Sequence, residues 1–325
     1  MRSHVLSAIP APGRMLATAA VGMTVLTGHS YAHGFAGDHM FISTLLIDDP
    51  NVADEASLPT FQFLPQDAGG GATSYNYNLG FELDKRITEN FGFAINDGYS
   101  WQTQPGAKTA NGWNNIVVTL KYKPYVNPEH EFIVSVGVQR EFARTGANGT
   151  NGAALGNDDS GSTGPTLYFG KGFGDLPIGA LRPLFLTGEL TYTIADKNLK
   201  VDPFGNPANN GNPNTWSGGL SLQYSIRYLS AQVKDYGLPS FVNKLTPVAE
   251  LAWSSSASKP NNGTPTTYLW GLGVNYTSTT YAVTVEALLP GNRATGNHPG
   301  VIAQFHLYFD DLFAHSLGTP IVDWF

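Results

Sequence analysis

Alternation with a period of two residues runs through most of this chain, and no other feature constrains the fold as much. In the segment YNYNLGFELDKRITENFGFAIN, residues 75–96, Tyr75, Tyr77, Leu79, Phe81 and Leu83 alternate with Asn76, Asn78, Gly80, Glu82 and Asp84. The pattern breaks at Thr88-Glu89-Asn90 and then resumes. Alternation, a short polar break and renewed alternation predict a β-hairpin. The same pattern returns at 61–63, 115–122, 132–139, 167–172, 184–194, 220–228, 249–253, 268–276, 281–287 and 301–309. No segment carries a convincing helical period. With the quoted hairpin counted twice, about twelve strands are expected.

The connections fall into two kinds. Compact ones lie at 88–90, 126–130 and 278–280, and long Gly- and Asn-rich ones at 144–164, 196–214, 258–266 and 290–300. Middling connections at 175–182 and 234–245 make the rule imperfect. Short turns on one side and long loops on the other are the signature of an up-and-down transmembrane barrel, with the short turns periplasmic. The expected fold is therefore all-β: a transmembrane antiparallel up-and-down β-barrel of about twelve strands spanning residues 58–313, with a tail at 314–325.

Composition agrees with an outer surface that avoids water. Only 13% of residues are charged, against about 25% in ordinary globular chains. Arg2 and Arg14, an apolar stretch at 15–26 and the small-x-small site Ser30-Tyr31-Ala32 read as an export signal over residues 1–32. The remaining chain has 16 basic and 25 acidic residues, a net charge of −9. That balance argues against nucleic-acid binding. With no cysteine, disulfides and thiolate metal sites are excluded. No other stretch approaches the roughly 20 apolar residues of a membrane helix. An exported membrane chain of this kind must then close its backbone hydrogen bonds in a barrel.

Opposite the apolar rows lie Glu82, Lys121, Gln139, Glu189, Gln223, Arg227, Glu250, Glu286, Gln304 and His306. In a barrel these face the lumen. Glu82, Lys121, Glu189, Arg227, Glu250, Glu286 and His306 are the candidate pore-lining residues. They would either line a narrow passage or pair laterally and stiffen the wall, and their surplus of carboxylates favours cations or neutral polar solutes. Residues 33–57 either fold into the lumen as a plug or remain periplasmic. Aromatics gather at the expected strand ends (Trp113, Trp216, Tyr268; Tyr122, Tyr228, Tyr276) as in interfacial girdles.

No catalytic motif stands out: G-x-S-x-G, H-E-x-x-H and Walker loops are all missing. His306 is the one histidine in a strand pattern and reads as a lumen residue before a catalytic base. The acidic groups Asp48-Asp49 with Asp54-Glu55, and Asn157-Asp158-Asp159, read as solvated loops before cation ligands. His33 with His39 offers only a weak copper-chelating pattern. No cofactor and no metal is expected. Phe325 ends the chain as it does many outer-membrane proteins, but it is offset from the last alternating strand.

The ELDKRITENFG hairpin, residues 82–92, together with the export signal and the alternating layout, resembles the transporter-like barrels grouped with the meta-pathway phenol-degradation proteins. The resemblance extends over residues 58–313 in layout. It implies an outer-membrane location and uptake of small compounds, aromatic ones included, and it supplies no site residues. The expectation is a non-enzymatic outer-membrane channel or transporter for passive passage of small solutes. Its partners would be outer-membrane lipid, the barrel-assembly machinery and the solute. The alternatives are a structural or adhesive barrel and, third, an outer-membrane lipid hydrolase.

Overall fold

Glu89 and Asn90 close the quoted segment into a hairpin of two long strands. In the computed structural model these are β4 (Ala72–Thr88) and β5 (Phe91–Thr103), paired from Tyr75↔Thr103 to Thr88↔Phe91. The structure describes residues 34–103, 105–146, 160–204, 206–209, 211–261 and 263–325. The expected signal segment, His33 and Asn157-Asp158-Asp159 lie outside the described residues.

A two-strand hairpin, β1 (Phe35–Ala36) and β2 (His39–Met40), precedes the barrel. The barrel runs through β3 (Glu55–Gly69), β4, β5, β6 (Ala110–Trp113), β7 (Val117–Asn127), β8 (Phe132–Glu141), β9 (Ser162–Gly172) and β10 (Leu184–Ala195). It continues through β11 (Thr215–Tyr224), β12 (Leu245–Ser256), β13 (Thr267–Thr277), β14 (Tyr281–Pro290) and β15 (Gly300–Tyr308). β6 and β7 both pair with β5 and form one interrupted strand, so the ring has twelve staves. Every neighbour is antiparallel, and β15 closes on β3 from Val301↔Phe63 to Tyr308↔Glu55. Closure leaves the barrel without an unpaired edge among the described residues.

The two faces are inverted relative to a water-soluble sandwich. Leu190, Leu220, Leu222, Trp270, Leu272, Val274 and Val285 are exposed, while Ser135, Thr187, Ser221, Gln223, Glu250, Glu286 and Thr284 are buried. A period-two strand can put its apolar residues outward at no backbone cost. Aromatics ring both ends. Phe63 packs tilted on Tyr77, which stacks on Trp101, near the long-loop end, where Tyr192 meets Trp216 at 4.7 Å. Tyr276, Tyr281 and Phe305 gather near the other end.

Some boundaries differ from the sequence expectation. The barrel begins at Glu55, not residue 58, and ends at Tyr308, after which Phe309–Leu312 turns as a helix. β3 and β4 are joined by a tight turn on the long-loop side, made possible by Gly69, Gly70 and Gly71, all at positive φ. β11 stops at Tyr224, because Ser225 accepts the Tyr228 amide at 3.1 Å and caps a short helix, α1 (Ile226–Tyr228). Tyr228 is therefore no girdle residue: it is buried at the short-turn mouth. Phe325 lies beyond a 3₁₀ turn, fully exposed and off any strand.

Candidate functional site

Residues 41–54 enter the lumen from the short-turn end, turn at mid-height and come back to the start of β3. Two apolar clusters seat this plug. Phe41 and Ile42 pack with Ile133, Phe185 and Val248, and Leu45 and Leu46 pack with Leu64, Leu269, Leu288 and Ile302. The tip is a turn in which Thr44 Oγ1 donates to the Ile47 carbonyl at 2.9 Å.

Polar wall residues hold the plug by its backbone. Leu45 N and Leu46 N both donate to Glu250 Oε2 at 3.0 Å, and Asp48 N donates to Glu189 Oε2 at 3.1 Å. Lys121 Nζ reaches Asp48 Oδ1 at 2.9 Å and the Asp49 carbonyl at 3.0 Å, with the Tyr168 ring 4.7 Å from it. Ser135 Oγ donates to the Pro50 carbonyl. Wall carboxylates thus satisfy amides that a loop in a dry lumen would otherwise leave unpaired.

The IDDPNVADE cluster lies inside the barrel and not in a solvated periplasmic loop. Wall cations and backbone amides take up its charges. Asp48 pairs with Lys121, Asp49 accepts the Asn51 amide at 2.6 Å, and Asp54 pairs with Lys85 at 2.5 Å and Arg86 at 2.8 Å. Among the described residues no group of three or more His, Asp or Glu side chains is arranged to hold a metal ion.

The predicted pore-lining residues do not all share one surface. Lys121, Glu250, Glu286 and His306 are buried inside the barrel, and Glu82 and Glu189 are half-buried inside it. Arg227 is a correction: with β11 ended at Tyr224, it sits exposed in α1, away from the lumen. His306 lies in a row in which Ser57 Oγ is 3.0 Å from its Nδ1 and Glu55 Oε2 is 3.1 Å from its Nε2. Ser57 and His306 are each 2% exposed, and the Glu55 side chain is 13% exposed.

The plug leaves part of the lumen wall accessible. The Asp48 side chain is 29% exposed, and Asn78, Glu82, Asp84, Asn96 and Ser100 on β4 and β5 are half-buried. Of these, Asn78, Glu82 and Asp84 stand on the polar row of the opening hairpin in the sequence. The place of Asp48 was not legible, because nothing in its own sequence reveals Lys121 as its partner.

At the short-turn mouth Glu131 ties three segments together. Its Oε2 lies 2.7 Å from His39 Nδ1 of the β1–β2 hairpin and accepts Gly174 N at 2.7 Å, and its Oε1 accepts the Tyr228 hydroxyl at 3.2 Å. His39 stacks on Tyr228 with ring centroids 4.0 Å apart. A recess of about 420 Å³, lined by Asp38, Glu129, Glu131, Asp175 and Tyr228 among others, opens below. Burial pushes the Glu131 carboxyl up, but the contact with His39 and the Gly174 and Tyr228 hydrogen bonds outweigh it and leave it below its usual 4.5. A depressed carboxyl stabilises the fold above its unfolded value, and that stability is lost as pH falls through the folded one. Amide exchange at 35–40 should therefore be protected near neutral pH and lose protection as pH drops below about 4.5. Glu131→Gln should remove roughly 1.5–3 kcal/mol of charge-assisted bonding, about 10- to 100-fold in protection, and flatten the acid response. An unchanged exchange profile would show that the knot does not hold the mouth.

No family model and no curated protein matches the chain, so the family resemblance read from the hairpin and layout is not shown. Among solved structures, the NanC porin aligns at 10% identity, covering 78% of this chain and 98% of its own, with a TM-score of 0.43. The β-domain of the Bordetella autotransporter BrkA aligns at 12% identity over 79% and 99%, with a TM-score of 0.45. The translocator domain of NalP from Neisseria meningitidis aligns at 14% over 78% and 87%, with a TM-score of 0.38.

Proposed function

We propose that this chain is an outer-membrane barrel of a Gram-negative cell, and that it passes small solutes when its own N-terminal plug yields. The accessible polar strip inside the barrel carries the reading. A core built only to be filled has no use for accessible side chains such as Asp48 and Glu82, whereas a passage does. With carboxylates outnumbering Lys121 along the strip, cations and neutral polar solutes are favoured over anions. The partners on this reading are lipid around the apolar band, the assembly machinery that inserts barrels, and the solute. The reading is non-enzymatic, in keeping with the largely buried Ser57–His306–Glu55 row.

One observation favours the second reading, a barrel that transports nothing: Leu45 and Leu46 pack tightly against Leu64, Leu269, Leu288 and Ile302 across the lumen. Conductance in planar bilayers separates the two. Wild-type protein should open rarely, with cation selectivity. Leu46→Ala removes packing worth about 2–5 kcal/mol, so openings should become at least tenfold more frequent. Two correctly folded, silent barrels would establish the non-transporting reading.

A further inference from the structure

Glu286 on β14 has a cleared path across β13 to Glu250 on β12. A Cβ on Gly273 would stand 2.5 Å from Glu286 Cγ, and one on Gly271 would stand 2.2 Å from Glu286 Oε2. Gly271 is the register partner of Glu250, so the two glycines let Glu286 lie flat along the wall and meet the Glu250 carboxyl. Glu286 is fully buried, and no backbone or side-chain donor among the described residues reaches either of its oxygens. Glu250 is 1% exposed, and its Oε1 likewise lacks a donor, while its Oε2 takes the two plug-tip amides.

Two carboxyl groups in contact, shut away from water, repel strongly unless one positive charge lies between them. The other charged groups in reach do not supply it. Glu189 of β10 and Asp48 of the plug supply no positive charge, and Lys121 of β7 is engaged with Asp48 and the Asp49 carbonyl. The tip, β11 and β15 contribute Thr44, Ser221 and Ile302, which carry no charge. We propose that the Glu250–Glu286 pair is a binding seat for one monovalent cation, a bridging proton or a desolvated alkali ion, and that its occupancy keeps the plug tip closed. The charge remaining on the pair sits on Glu250, where two N–H dipoles meet it. Loss of the bound charge drives the carboxylates apart, admits water and loosens the tip. The role in opening rests on the plug-gated reading; the seat itself does not.

The chain has no cysteine, so Leu46→Cys gives a single thiol at the tip, reachable by a soluble thiol reagent only when the plug leaves its seat. Its labelling rate in the full-length folded barrel, divided at each pH by that of the unfolded chain, reads plug seating without any need for conduction. In choline chloride the ratio should rise at least tenfold from pH 5 to pH 9. If sodium suppresses it at pH 9 the seat takes an alkali ion; if sodium has no effect the occupant is the proton. With Glu286→Gln the amide donates permanently to Glu250, so the ratio should stay low and flat. With Gly271→Ala the displaced Glu286 should leave it high and flat. A ratio that does not change with pH or sodium, or a Glu286→Gln barrel that follows its parent, overturns the seat. A silent bilayer with a titrating thiol would reject the pore and keep the seat; a conducting bilayer with a flat thiol would do the reverse.

Discussion

Arg86→Met should cost about 3–5 kcal/mol of barrel stability, the expected loss when one partner is removed from a buried charge cluster. The Arg86 side chain is 7% exposed and serves four acceptors: Asp54 Oδ2 at 2.8 Å, Asp310 Oδ1 at 2.5 Å, Glu89 Oε2 at 3.1 Å and the Gly318 carbonyl at 2.9 Å. Asp54 is fully buried and marks the point where the plug turns into β3. It also takes Lys85 Nζ and the Arg86 amide. Lys85 in turn donates to the Leu317 and Thr319 carbonyls and lies 5.1 Å from the Trp324 ring. One guanidinium thus joins plug, barrel wall and C-terminal tail. Methionine keeps much of the volume and leaves Asp310 short of its main counter-charge. Urea titration followed by heat-modifiable gel mobility measures the loss. Adding Asp310→Asn should recover part of it, because the orphaned carboxylate goes with the arginine. If Arg86→Met unfolds at the wild-type midpoint, the cluster is a bystander, and the plug is anchored by its apolar contacts alone.

The cluster also shows where sequence reading stops. Strands, their facing and their number follow from local alternation, because a pleated strand projects successive side chains to opposite sides whatever lies around it. Leu79 outward and Glu82 inward could both be assigned before any neighbour was known. Asp54 and Arg86 could not be paired that way. They are 32 positions apart, and Asp310 is 224 beyond Arg86, so only closure of the ring brings the three together. The plug is hidden for the same reason. Residues 41–54 lack a strand period, and their seat is assembled from side chains on β3, β7, β8, β10 and β12 to β15. Arg227 failed in the opposite direction. Its alternation continued the β11 pattern, but Ser225 offered the backbone a local cap and the chain left the sheet. Period two reports which face a residue would take within a strand; it does not report where the strand ends.

The lipid assignment of the opening hairpin yields the second large effect. Leu79 lies near the middle of β4, on the outward row with Tyr77 and Phe81, and pairs with Phe61 and Tyr99 on the flanking strands. An arginine there would place its charge among lipid chains near the midplane, where such substitutions cost about 2–4 kcal/mol. The cost should fall to about 1 kcal/mol or less for the same change at Tyr75, nearer the long-loop end, because a long side chain can reach the headgroups. The gradient is the informative quantity. A soluble sandwich facing water with this row would tolerate arginine equally well at both positions, and a buried protein interface would reject it at both. Folding titrations of Leu79→Arg and Tyr75→Arg in lipid bilayers measure the difference directly. A steep fall from Leu79 to Tyr75 identifies the medium as a bilayer of finite thickness, and equal costs would remove lipid from the outer face of this barrel.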